Sequence, residues 1–306
     1  MKTFLIILCF LIIQNAFGQS DSYTNDSIQV EGQYVHFYEK GSGQPVLYIP
    51  GGPGQSSGYM QQMAEPITGY RNIFVDFRGV GKSIDKAPDP SWVSLNQVLT
   101  DLEAVRKKLK IQKWTVVGHS FGGQVAQYYA IKKPEVLNKI ILIAPAPLHN
   151  RFWKHYSETL NMRLLPDDYT EMHAVQTDST LSQHDKMVKM ALVQMRSAFY
   201  DRKNAAEFLK QIKQPYTEEN IGSFRYQAAI FSNEDYNKDR TAEVEKISIP
   251  VRIIMPRQDA LNDGEMLLLN SKLKNSKIYY VERSGHFAWA ENADDYYKVL
   301  KISLSD

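Results

Sequence analysis

A single cysteine occurs in the 306 residues. It is Cys9, inside the apolar N-terminal run Phe4 to Ile13, which follows Lys2 and precedes Asn15-Ala16-Phe17-Gly18. A basic start, a short apolar stretch and a small-x-small site predict a signal peptide over residues 1–18, with Gln19 as the first mature residue. The run is too short to span a bilayer comfortably, so no stable membrane anchor is expected after cleavage. Leu8 stands where a lipoprotein cysteine needs a small residue before it, so Cys9 leaves with the leader. The mature chain then has no thiol and no disulfide, and a secreted or periplasmic protein of this kind must rest on its core alone.

Charge of one sign is lacking too. Lys and Arg number 36 against 34 Asp and Glu, a formal net charge of +2, which excludes the basic stripe of a nucleic-acid binder. No spacing of His, Cys, Asp and Glu suggests a metal site. Gly79-Val80-Gly81 lacks the third glycine and downstream unit of a dinucleotide fingerprint, so no cofactor is expected. No internal repeat or low-complexity stretch is visible. What remains is an ordinary globular composition, 43% hydrophobic and 23% charged, sufficient for a large core.

The stretch that organises the chain is Trp114 to Gly123. Thr115, Val116 and Val117 are β-formers that run into Gly118-His119-Ser120-Phe121-Gly122, and the amphipathic run Val125 to Ile131 follows at once. This predicts a strand, a very sharp turn and a helix, with Ser120 at the apex in a strained conformation that exposes its hydroxyl. The Phe121 N–H falls in the first turn of that helix, where donors lack intrahelical partners and negative charge is favoured.

Other strands are expected at Gln33 to Glu39, Pro45 to Ile49, Arg71 to Phe77, Lys139 to Ala144, Pro250 to Met255 and Lys277 to Val281. The segment from Ile28 alternates and pairs with Gln33 to Glu39 as a hairpin around Glu31-Gly32, whereas polar Ser20 to Ser27 reads as a loose arm. Pro50-Gly51-Gly52-Pro53-Gly54 is neither helix nor strand and can bring bare N–H groups to a ligand. Asp76 and Arg78 read as an ion pair bracing the turn that follows their strand. Ser94 opens a long helix with Gln97 as its capping-box partner. Strands and helices in alternation predict a mainly parallel sheet with helices on both faces.

From Pro147 to about Glu245 the strand pattern stops, leaving helical stretches such as Lys186 to Ser197 and Ala205 to Ile212. The domains expected are therefore an α/β core over 19–146 and 246–306 and an inserted helical cap over 147–245. Of the cap aromatics, among them Phe152, Trp153, Tyr156, Phe199, Tyr226 and Phe231, a minority are expected to face a pocket.

A serine hydroxyl attacks at neutral pH only if a base takes its proton and a third group orients that base. Asp259 follows the strand ending at Met255, and His286 follows the strand ending at Val281. Loops after parallel strands open on one edge, the edge that also carries Ser120. Ser, Asp, His is the chain order of the α/β-hydrolases. His119, adjacent to the serine, reads as structural, because the base must face the open side of the hydroxyl. Asp263 reads as an acid at a helix N-terminus, and His149, His155, His173 and His184 lack a strand-end position.

With these residues the chain resembles an α/β-hydrolase and, within that superfamily, the proline iminopeptidase group of serine peptidases. Gly51-Gly52-Pro53-Gly54 resembles that group's His-Gly-Gly-Pro-Gly loop, Asp76 to Ser83 its Asp-x-Arg-Gly-x-Gly-x-Ser turn, and Gly118 to Gly122 the nucleophile elbow. The resemblance implies Ser120, Asp259 and His286 as the catalytic residues and the N–H groups of Phe121 and Gly52 as oxyanion donors. Pro50 departs from the pattern by standing where the group has His, which removes a contact that helps hold the oxyanion loop. Peptidase members also hold the substrate's free amine with acidic residues. Glu234 is the candidate here, whereas Ala260 occupies the position after Asp259 where relatives can carry another acid. The function implied is an exported aminopeptidase that releases N-terminal proline from short peptides through an acyl-enzyme. Its alternatives are a carboxylic ester hydrolase on the same three residues and, remotely, a non-catalytic binding protein. A histidine base predicts activity that falls below about pH 6–7.

Overall fold

The computed structural model describes residues 23–84, 89, 91–149, 151–211, 218–261 and 263–306. The leader expected over residues 1–18, Cys9 within it, lies outside them. Eight strands form one sheet: β1 (Thr24–Val30), β2 (Gln33–Lys40), β3 (Gln44–Ile49), β4 (Tyr70–Val75), β5 (Trp114–His119), β6 (Leu137–Ile143), β7 (Val251–Pro256) and β8 (Ser276–Val281). Their spatial order is β1-β2-β4-β3-β5-β6-β7-β8. The hairpin of β1 and β2 and the β2/β4 pair are antiparallel, and every later pair is parallel. A parallel strand covered on both faces has no solvated side, which is why β5 and β7 are buried throughout and mostly apolar, with the charged Arg252 of β7 paired to Asp306 at 3.0 Å.

The helices are α1 (Gly58–Ala64), α2 (Leu95–Lys108), α3 (Phe121–Lys132), α4 (Arg151–Met162), α5 (Pro166–Thr177), α6 (Gln183–Met195), α7 (Arg202–Gln211), α8 (Glu218–Phe231), α9 (Asp263–Lys272), α10 (Ala288–Glu291) and α11 (Ala293–Ser305). The sheet separates two apolar clusters. One gathers Leu47, Ile73, Val116 and Ile140 with Leu102 of α2 and Val125 of α3. The other gathers Tyr48, Phe74, Val117 and Ile141 with Met60 of α1 and Leu300 of α11. Neighbouring residues along each strand divide between the clusters, as a period of two requires. Helices α4 to α8 all lie between β6 and β7 in the chain, and the described residues of that stretch hold no strand.

Three local readings are corrected. Thr24 to Ser27 are strand, because they pair with His36 to Glu39 of β2 despite their polarity. Ser94 Oγ does accept the Gln97 N–H at 3.1 Å, but the Gln97 side chain donates to Asp101 Oδ1 at 3.5 Å instead of closing a capping box. Asp76 and Arg78 both brace the turn after β4, with different partners. Asp76 accepts from the Ser57 N–H and hydroxyl at 2.8 Å, the Tyr38 hydroxyl at 3.0 Å and the Lys82 N–H at 3.1 Å. Arg78 forks onto both oxygens of Asp101 in α2, and both side chains are buried.

Candidate active site

Ser120 sits between β5 and α3 with φ 54° and ψ −120°, a conformation that costs a non-glycine residue energy and needs support from its surroundings. Four backbone bonds hold it there: its N–H donates to the Ile143 carbonyl at 2.9 Å, and its carbonyl accepts the N–H groups of Gly123 at 2.8 Å, Ala146 at 2.9 Å and Gln124 at 3.3 Å. Close approach on the other side requires Gly122, because a Cβ at that position would collide with the Ile49 carbonyl at the end of β3. The elbow therefore packs directly onto the strand that leads into the Gly-Gly-Pro-Gly loop, and Ser120 remains 8% exposed.

The two expected oxyanion donors lie on these adjoining segments. Phe121 opens α3, and Gly52 follows β3 with φ 115°. Among the described residues no backbone acceptor takes either N–H, as a site that binds a developing negative charge requires.

Asp259 and His286 follow β7 and β8 and are both buried. His286 Nδ1 lies 2.9 Å from Asp259 Oδ2 and 3.1 Å from Oδ1. A carboxylate accepts only, so it favours the ring tautomer with hydrogen on Nδ1 and leaves Nε2 with a lone pair. The Leu261 N–H donates to Asp259 Oδ1 at 3.1 Å and fixes the carboxylate in turn. The His286 ring centroid is 4.7 Å from that of His119, the residue before Ser120, so the elbow and the histidine loop meet at this pair. No hydrogen bond joins the Ser120 hydroxyl to His286 among the described residues. Such bonds commonly tighten only with substrate in place.

The helical segment between β6 and β7 supplies contacts that sequence reasoning missed. The His286 N–H donates to the Ala198 carbonyl at 2.8 Å. Arg163 donates to the Asp259 carbonyl at 3.1 Å and to the Ser197 carbonyl at 3.4 Å. Glu291 accepts the Gly285 N–H at 2.6 Å together with the N–H groups of Tyr200 and Asp201 at 3.2 and 2.9 Å, joining the histidine loop to the same segment. Burial raises the Glu291 pKa against the opposing effect of these N–H groups. Tyr156 of α4 brings its ring within 5.8 Å of His286, and burial followed by the Asp259 charge raises its phenol pKa. Arg163 and Ala198 carry no local signal, since their partners are distant in sequence, whereas Tyr156 stands among the cap aromatics and Glu291 lies only six residues from Gly285.

Glu234 is exposed in the turn after α8, and among the described residues no contact joins it to Ser120, Asp259 or His286. Its neighbour Tyr236 is the buried one, with its hydroxyl donating to Gln124 Oε1 at 3.0 Å and accepting from the Trp153 ring N–H at 3.1 Å. Ala260 and Leu261, directly after Asp259, are buried and apolar. Asp263 begins α9 and pairs with Arg257 at 3.4 Å, and His149 pairs with Glu265 at 3.0 Å.

Comparison with known proteins places this arrangement in context. The family described as the alpha/beta hydrolase fold matches residues 44–293. A proline iminopeptidase of Heyndrickxia coagulans is 25% identical over 285 residues, which cover 91% of this chain and 97% of the relative. One of Saccharolobus solfataricus is 26% identical, covering 88% and 87% of the two chains. Among solved structures, a proline iminopeptidase-related protein of Thermus thermophilus superposes with a TM-score of 0.71 at 18% identity, covering 93% of this chain and 98% of its own.

Proposed function

Because the chain belongs to the alpha/beta hydrolase fold family, we propose that it is a serine hydrolase whose reaction is carried by Ser120, His286 and Asp259. The observation that carries this reading is the Asp259-His286 pair, which leaves Nε2 as the acceptor, on the loop that meets the strained Ser120 elbow. In this mechanism Nε2 of His286 takes the Ser120 proton as Oγ attacks a substrate carbonyl. The oxyanion is received by the Phe121 and Gly52 N–H groups. His286 then protonates the leaving group, and water repeats the sequence on the acyl-enzyme while Asp259 stabilises the imidazolium.

The substrate class we propose is a short peptide with a free N-terminus, proline first. Similarity to proline iminopeptidases along nearly the whole chain supports it. A second reading, hydrolysis of small carboxylic esters, is favoured by a specific observation: Glu234 is exposed and Ala260 replaces an acid beside Asp259. Glu234→Gln separates the two. If Glu234 anchors the amine, the variant loses cleavage of a prolyl arylamide and keeps that of an aryl ester. Retention of both removes Glu234 from the site. Export is likewise proposed from the leader alone, and N-terminal sequencing of exported protein should begin at Gln19.

A further inference from the structure

Pro50 stands where the resemblance to the peptidase group implies a histidine that helps hold the loop bearing Gly52. A different tether is present. The Gly51 N–H donates to the Tyr59 hydroxyl oxygen at 2.6 Å, Tyr59 Oη lies 2.9 Å from His119 Nδ1, and His119 Nε2 lies 3.0 Å from the His286 carbonyl. Tyr59 and His119 are both buried.

The direction of every bond in this chain follows from its ends. The His286 carbonyl can only accept, so His119 Nε2 carries the hydrogen. Burial and the neighbouring His286 ring push the His119 pKa well below its ordinary value, so the ring is neutral and Nδ1 accepts. Tyr59 must therefore donate to Nδ1, and burial raises its phenol pKa so that it keeps that proton. Its oxygen is then free to accept from Gly51. Contact reinforces the bonds, since a Cβ on Gly51 would stand 3.0 Å from Ser120 Cβ and 3.3 Å from His119 Nδ1.

We propose that Tyr59 and His119 are positioning residues that set the oxyanion loop against the elbow and the His286 loop, in the role that Pro50 leaves vacant. This rests on the serine-hydrolase reading. The chain joins the three segments that the reaction needs, the donor loop at Gly51, the nucleophile's neighbour His119 and the base's own backbone. A loop displaced by Tyr59→Phe would still bind substrate, but would aim the Gly52 N–H less well at the oxyanion.

The test compares wild type, Tyr59→Phe, His119→Ala and the double variant on a short-chain aryl ester. Each single variant is expected to lower kcat about tenfold or more with KM within about twofold. The double variant should lose little beyond either single one, because both cut the same chain. A trifluoromethyl ketone, which forms a hemiketal oxyanion on serine, should bind the variants more weakly by a similar factor. Unchanged kcat in Tyr59→Phe, a loss carried by KM, or fully additive losses overturn the proposal. Nitrogen NMR of histidine-labelled wild type reads the chain without turnover. His119 should hold hydrogen on Nε2 and bare Nδ1 from about pH 5 to pH 8, where an ordinary histidine titrates. A His119 that titrates in that range, or carries its hydrogen on Nδ1, also overturns it. Should Ser120→Ala retain wild-type turnover, the serine-hydrolase reading fails on its own, and the NMR result still decides the bond chain.

Discussion

His119 shows at the residue scale how one buried group links stability to pH. Its pKa is held well below 6.5 first by burial and then by His286, with the bond to the His286 carbonyl opposing. The folded protein therefore keeps the ring neutral, whereas the unfolded chain takes up a proton once pH falls below about 6.5. The unfolded state binds more protons in that window, so stability rises with pH there and is lost as pH falls through it. Urea midpoints measured between about pH 7 and pH 5 should decline, with this one residue contributing at most about 1.4 kcal/mol per pH unit. His119→Gln should flatten the decline. An equal slope in the variant would mean that the ring takes its proton in the folded state.

Ser120, Asp259 and His286 could be singled out as candidates because each lies in the loop after a run of strand-forming side chains, where a parallel sheet opens its loops on one edge. Tyr59 was not legible in this way. It lies in α1, remote in sequence from His119, and a tyrosine beside Met60 and Met63 reads as ordinary core, which its side chain also is. The bonds of Glu291 to Tyr200 and Asp201 and of Arg163 to Asp259 were hidden for the same reason, because those partners are backbone groups that only the folded chain brings near.

Elements are held to one another in this fold by a few buried polar ties as well as by apolar area. Arg78, after β4, forks onto Asp101 of α2, with Glu31 of the β1/β2 turn 3.7 Å away. Burial raises the Asp101 pKa, and the Arg78 bonds and charge oppose it. Arg78→Met leaves a buried carboxylate without its partner and is expected to destabilise the protein by about 3–5 kcal/mol. Replacing Asp101 with Leu as well should recover most of that loss, since a matched apolar pair has no charge to desolvate. Urea unfolding of the two variants checks both statements, and a double variant no more stable than Arg78→Met would contradict them. The adjacency of Asp76 and Arg78 in sequence suggested that they pair with each other. Each bonds instead to a different element, Asp76 to the residues before α1 and Arg78 to α2.

Polar strands were harder to read than apolar ones for a physical reason. Thr24 to Ser27 lie at the sheet edge and lack a buried face, so no alternation marks them, and only pairing with β2 makes them strand. The parallel strands at the centre have two buried faces and therefore show plainly as continuous apolar runs.

On the scale of the whole molecule, the parallel sheet and its crossover helices deliver four separate loops to one place. The loop after β3 carries Gly52, the turn after β5 carries Ser120 and Phe121, the loop after β7 carries Asp259 and the loop after β8 carries His286. The segment between β6 and β7 bonds to the loops carrying Asp259 and His286 through Arg163 and Ala198, and Glu291 of α10 ties Tyr200 and Asp201 to Gly285 of the His286 loop. The fold and its hydrolase family were readable because they depend on local runs and chain order. Substrate choice has no such local signature: Tyr156 of α4 approaches His286, whereas among the described residues Glu234 makes no contact with it.

The central claim is that Ser120 carries hydrolysis. Its most direct test sets purified mature protein beside Ser120→Ala on an unblocked prolyl arylamide and on a short-chain aryl ester. The account predicts turnover by the parent protein and a loss of at least about a thousandfold in the variant, with cleavage of the arylamide supporting the peptidase reading and cleavage of the ester alone supporting the esterase one. Equal turnover by the parent and Ser120→Ala would contradict it.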